Sequence, residues 1–99
     1  MGAFAIERSG PERLLVSGAL SFETAAEALK TGLRLIGTAP SCTICLAQVT
    51  EGDSAGLAVL LEWLAAARAR GARLRYEGVP AQILAVARIS DVQDLLTGE

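Results

Sequence analysis

A chain of 99 residues can bury one compact core, so a single domain over residues 1–99 is expected. Hydrophobic residues make up 52% and aromatics 4%, which means that the core is built from alanine, leucine and valine in tight layers. Nine basic against eleven acidic residues give a net charge of -2, without the basic surplus that a phosphate backbone requires, so nucleic acid is not an expected partner.

Residues 3–7 and 12–20 read as two strands of a hairpin around Ser9-Gly10-Pro11, whose glycine and proline mark a turn. Ser21 stands as the N-cap of a helix through Ile36, with Phe22, Ala25, Leu29, Leu33 and Ile36 at helical spacing on one apolar face. Acids in its early turns and bases in its late turns suit the helix dipole, and Gly37 ends it. Residues 42–49 are apolar at nearly every position, as in a central strand covered on both sides or flanked by neighbours. Asp53 or Ser54 then caps a helix to about Arg70, with Leu57, Leu60, Leu61 and Leu64 inward and Gly71 as the stop. Residues 73–77 alternate with period two, which places Leu74 and Tyr76 on the core face of an edge-like strand. Pro80 suits the first turn of a third helix over 81–89, and Ser90-Asp91-Val92-Gln93 has the spacing of a capping box for a short last helix. The order β-β-α-β-α-β-α-α predicts an α/β fold with a mixed, mostly parallel sheet joined by helical crossovers.

The strongly apolar stretch 57–67 is broken by Glu62 and closed by Arg68 and Arg70, too short for a bilayer span of about 20 apolar residues, so direct membrane insertion is not expected. Residues 1–6 run straight into Glu7 and Arg8 without the pattern of a signal peptide, and Ile6 stands where a Gly2 lipidation motif wants Ser or Thr. A cytosolic location follows as the expectation. Cys42 and Cys45 form a C-x-x-C, but three residues apart on a strand they point to opposite faces, and no histidine or third cysteine is present to complete a zinc site. They read as structural thiols. Without histidine, a phosphate-cradling loop or a carboxylate cluster, no catalytic, cofactor or metal site is expected, and the chain does not read as an enzyme. The concentrated polar feature is Thr50-Glu51-Gly52-Asp53-Ser54-Ala55-Gly56-Leu57, where a strand hands over to a helix whose first amides are free to receive a partner. Its plain reading is a cap worth about 1 kcal/mol.

Residues 42–47, Asp53-Ser54-Ala55-Gly56-Leu57, Leu60-Leu61 and Ala67-Arg68-Ala69-Arg70-Gly71 together resemble the STAS domain family over nearly the whole chain. That family includes anti-sigma factor antagonists and small subunits of bacterial lipid transporters, so the resemblance implies a protein-interaction module with the Asp-Ser-x-Gly-Leu signature near the partner. In phosphorylated antagonists the hydroxyl lies just before the glycine, whereas here that residue is Ala55 and the hydroxyl is one earlier, on Ser54. This is similar to MlaB-type members, the STAS subunits of Mla phospholipid-transport ATP-binding cassette systems. Glu77-Gly78-Val79-Pro80-Ala81-Gln82 and the residues after it are similar to that type as well. The implied partner is an MlaF-like cytoplasmic ATPase subunit, with peripheral association to the inner membrane through the transporter. The alternative is an anti-sigma factor antagonist that binds a serine-kinase anti-sigma factor.

With the leucines inward, a helical wheel of the second helix turns Ala58, Val59, Ala65, Ala66 and Ala69 outward, relieved by Glu62 and Arg70, with Trp63 at the border. Small side chains let another helix approach closely, and an aromatic can anchor the edge. The expected partner-binding residues are therefore Asp53, Ser54, Ala55, Ala58, Glu62, Trp63, Ala65 and Ala66, burying about 800 Å² on this side. Ser54 is expected to act through its hydroxyl in recognition, not as a required phosphorylation site.

Overall fold

Among residues 3–97, which the computed structural model describes, the elements are β1 (Phe4–Gly10), β2 (Arg13–Leu20), α1 (Ala25–Ile36), β3 (Ser41–Gly52), α2 (Ser54–Ala69), β4 (Arg73–Glu77), α3 (Ala81–Ile89) and α4 (Gln93–Thr97). Met1 and Gly2, where the leader and lipidation readings begin, lie outside the described residues. The sheet order is β1-β2-β3-β4. β1 and β2 form the expected antiparallel hairpin, with Ile6 opposite Val16, and β3 runs parallel to both β2 and β4. Each parallel pair is joined through a helix, as parallel strands require.

β3 is a central strand flanked by neighbours, but it is not covered on both sides. Its burial alternates, with Cys42, Ile44 and Leu46 buried and Thr43 and Cys45 only half-buried. The helices gather on the first of these faces. There the Arg8 guanidinium donates to the Leu35 carbonyl of α1 at 2.8 Å and the Tyr76 hydroxyl donates to the Leu60 carbonyl of α2 at 2.7 Å. Leu14, Val16, Ile44, Leu46, Leu60, Trp63 and Ile83 form the centre of the core, fully removed from solvent. The two cysteines point to opposite faces, and burial pushes the Cys42 thiol above its ordinary pKa. On the open face Arg13 of β2 bridges to Glu77 of β4 at 2.7 Å. No helix among the described residues is long and apolar enough to cross a membrane.

Two local expectations need correction. α1 starts three residues later than Ser21 suggests, with Thr24 as N-cap, and its core face is turned: Ala28, Gly32 and Ile36 are buried, while Phe22 is 81% exposed and Leu33 39% exposed. The reason is close helix contact, because a side chain on Gly32 would place Cβ within 2.2 Å of the Trp63 ring of α2. The small residues face inward to admit that indole, and the large ones are displaced. The second correction concerns Ser90-Asp91-Val92-Gln93, which ends α3 before α4 begins. The Asp91 amide donates to Arg88 and the Val92 amide to Ala87, with Asp91 at φ 60, so the segment is a Schellman C-cap and no capping box.

Candidate functional site

The junction of β3 and α2 is built around Asp53. Its backbone is extended, so it sits before the first helical turn, and its Oδ1 accepts from the Gly56 amide at 3.0 Å. The other oxygen, Oδ2, accepts from the Phe22 amide at 3.1 Å in the loop between β2 and α1. One carboxylate therefore caps α2 and also fixes a loop 31 residues away. The glycine of the signature has a steric cause, since a Cβ on Gly56 would lie 2.0 Å from the Leu20 carbonyl oxygen at the end of β2. Asp53 and Gly56 thus serve the fold, which leaves Ser54 as the first residue of α2, exposed and not needed as the cap.

Beside Ser54 a shallow groove of about 300 Å³ runs between α1 and α2, lined by Ala25, Ala26 and Leu29 on one side and Ala55, Ala58, Val59 and Glu62 on the other. The Phe22 ring stands at 81% exposure in the loop that Asp53 holds. Next to it the Ser21 hydroxyl is buried and has no hydrogen-bond partner among the described residues. Thr24 closes the loop, donating to the Ala19 carbonyl at 2.9 Å and accepting from the Ser21 amide at 3.0 Å.

Of the expected partner-binding residues, Ala55, Ala58 and Glu62 line this groove, with Asp53 and Ser54 at its head. Ala65 is exposed and Ala66 half-buried further along α2, outside the groove lining. Trp63 is a correction. It is wholly buried, its Nε1 donates to the Leu29 carbonyl at 3.3 Å, and it pins α1 to α2 instead of bordering an open face. Val59, expected outward, is 3% exposed for the same reason: α2 packs against α1 as well as the sheet, so it has two buried sides. Phe22 is the site residue that periodicity misplaces. Thr24 followed three residues later by Glu27 has the spacing that signals the later start, although the Thr24 hydroxyl bonds back to Ala19 and Ser21 and does not cap the helix.

The described residues bring together no group of three or more histidine, cysteine, aspartate or glutamate side chains suited to a metal ion. The chain matches the family model described as Mlab, STAS domain, over residues 5–97. It belongs to the STAS family. The anti-sigma factor antagonist SpoIIAA in its unphosphorylated form has a similar structure, with a TM-score of 0.70 and 16% identity over 96% of this chain and 86% of that one. A sulfate transporter family protein from Wolinella succinogenes gives a TM-score of 0.68 and 22% identity over 96% of this chain and 78% of the other. Mglu gives a TM-score of 0.60 and 26% identity over 81% of this chain, which matches 20% of Mglu. No curated protein matches the sequence. The first two likenesses speak for the STAS fold, whose domains are protein-interaction modules.

Proposed function

We propose that this STAS protein is a non-catalytic accessory subunit. It docks through the rim of the α1–α2 groove onto the cytoplasmic ATPase of a Mla-type phospholipid-transport ATP-binding cassette transporter and supports that ATPase's assembly or activity. The observation that carries the reading is the pairing of an exposed Ser54 with an apolar groove and an 81% exposed Phe22, where the Asp53 carboxylate caps α2 and also holds the Phe22 amide. A large exposed aromatic beside an apolar groove on a small domain marks a contact surface. The match to the Mlab family model supports the transporter partner. Ala55 speaks against the kinase-switched antagonist, because it has no hydroxyl to phosphorylate, and Glu51 and Asp53 would repel another anion placed on Ser54.

Asp53, Ser54, Ala55, Ala58 and Glu62 form the head of the proposed contact, with Ala65 and Ala66 continuing it along α2 and Phe22 added from the loop. The protein stays peripheral to the inner membrane, reached through the transporter. Copurification from the native host with identification of the bound subunit tests the partner. An ATP-binding cassette ATPase is the expected result; a serine-kinase anti-sigma factor in its place overturns the proposal.

A further inference from the structure

Three loops meet at the end of the sheet opposite Asp53. The Arg73 amide, at the end of the α2–β4 loop, donates to the Pro40 carbonyl of the α1–β3 loop at 3.0 Å, and the Arg70 guanidinium reaches the Ala39 carbonyl of that loop at 3.5 Å. The β1–β2 turn joins them: the Glu12 carboxylate accepts from the Ser41 hydroxyl at 3.0 Å, and the Glu12 carbonyl from the Thr43 amide at 2.8 Å. The last turns of α1 and α2 finish here as well, because each helix runs back along the parallel strands it connects.

This end gathers most of the positive charge of a chain whose net charge is -2. Arg8 and Arg13 flank the β1–β2 turn, Arg34 and Arg68 lie in the last turns of their helices, and Arg70, Arg73 and Arg75 follow into β4. They are seven of the nine basic residues. Arg34, Arg68, Arg73 and Arg75 are exposed, and none has a carboxylate within ion-pair distance among the described residues. Of the acids, Glu12 is tied to Ser41, and Glu7 and Glu77 stand one strand repeat further in, level with Leu15 and Cys45. Glu77 is already paired with Arg13 at 2.7 Å. Glu23, Glu51 and Asp53 lie at the opposite end. Complementing a helix dipole accounts for Arg34 and Arg68, but not for Arg73 and Arg75, which stand on a strand.

We infer that this end of the domain rests on an anionic lipid surface, with lipid phosphates as the counter-charges of Arg34, Arg68, Arg73 and Arg75. Strand alternation turns Arg73 and Arg75 to the open sheet face with Glu77, whereas Arg34 and Arg68 belong to the helix layer. A ligand lying on one face cannot meet both pairs. A plane laid across the end meets both. Charge segregated in this way lets a protein of net negative charge approach an anionic plane end-on. Single-stranded nucleic acid fits less well, because it stacks on accessible aromatics and the nearby Trp63 and Tyr76 are buried. The contact is electrostatic: each arginine near such a surface strengthens binding about fivefold, over a reach of about 8 Å at physiological salt. The α1–α2 rim begins at the opposite end of α2, so either surface can fail alone.

The test sediments the full chain with vesicles of phosphatidylglycerol mixed equally with phosphatidylcholine, and with vesicles of phosphatidylcholine alone. Binding to the anionic vesicles is expected at low salt and should weaken as salt screens the charges, with little binding to the neutral ones. Arg68→Ala, Arg73→Ala and Arg75→Ala should each weaken it about fivefold, and the three together by more than about tenfold. Arg34→Ala, on another helix, gives an independent reading if the combined variant folds poorly, and Glu51→Gln at the far end should not weaken binding. Equal sedimentation with both kinds of vesicle overturns the proposal, as does wild-type binding by the folded combined variant and by Arg34→Ala. Complete displacement from the vesicles by mixed-sequence duplex DNA at equal phosphate concentration overturns it in favour of a nucleic acid.

Discussion

Trp63 and Ala58 lie five residues apart on α2, and at its contact with α1 they meet opposite environments. Trp63 is wholly buried in a seam where its indole donates to Leu29 and rests on Gly32, while Ala58 is exposed on a rim with Ser54. The seam therefore supplies stability, and the rim is where the proposed recognition would take place. Substitutions should divide the two, those in the seam lowering stability and those at the exposed Ser54 and Ala58 altering capture of the proposed partner alone.

The seam gives the largest effects. Trp63→Ala should cost about 3–5 kcal/mol by leaving a cavity, and Gly32→Ala about 1–3 kcal/mol by forcing a methyl group into the indole. Thermal melting should show both, at roughly 4–8 °C per kcal/mol for a domain of this size. If Gly32→Ala melts like the wild type, the seam is looser than described. Asp53→Ala comes next, at about 1–2 kcal/mol in urea unfolding, because it removes the α2 cap and releases the Phe22 amide. Asp53→Asn should retain most of the cap.

Much of this architecture is legible in the residues. The bounds of β4 and α3, the cap and stop of α2 and the order of elements follow from alternation, proline, glycine and capping chemistry. The seam does not. Hydrophobic periodicity ranks large apolar residues as inward, so it turns Phe22 and Leu33 to the core, and the wheel of α2 leaves Trp63 at the border. Where two helices pack closely, it is Ala28 and Gly32 that must face inward, and a sequence wheel gives them no weight. The same limit applies at the site. Asp53-Ser54-x-Gly56 reads as a junction, but only the folded chain shows that Asp53 also holds a loop far away in sequence and that Gly56 meets a backbone oxygen.

A smaller effect is expected at Tyr76, whose buried hydroxyl bonds to Leu60. Tyr76→Phe should cost about 1 kcal/mol. Burial raises the tyrosine pKa well above its ordinary value of 10.0. The folded state thus holds this proton more tightly than the unfolded state does. The resulting stability is whole below the unfolded pKa and is lost as pH rises from there through the folded value. Urea midpoints at about pH 8 and about pH 11 should show a smaller alkaline loss in Tyr76→Phe than in the wild type. An equal loss would place the alkaline sensitivity elsewhere, with the buried Cys42 thiol next to be tested. Smallest in stability is Ser54→Ala, within about 0.5 kcal/mol as befits an exposed position that does not cap the helix. Its partner capture should nevertheless weaken, and Ser54→Thr should largely keep it. Unchanged capture by Ser54→Ala would make this hydroxyl an ordinary surface group.

The separation of rim from seam is tested most directly by Ala58→Arg. The variant places a long charged side chain in the α1–α2 groove from a position that is itself exposed. Capture of the partner identified by copurification should be measured for wild-type and variant protein in parallel, with circular dichroism and melting recorded on the same samples. The account predicts an unchanged melt and capture lost or reduced more than tenfold. Wild-type capture by the folded variant, repeated for Ala65→Arg and Ala66→Arg, would contradict it and place the partner on another face.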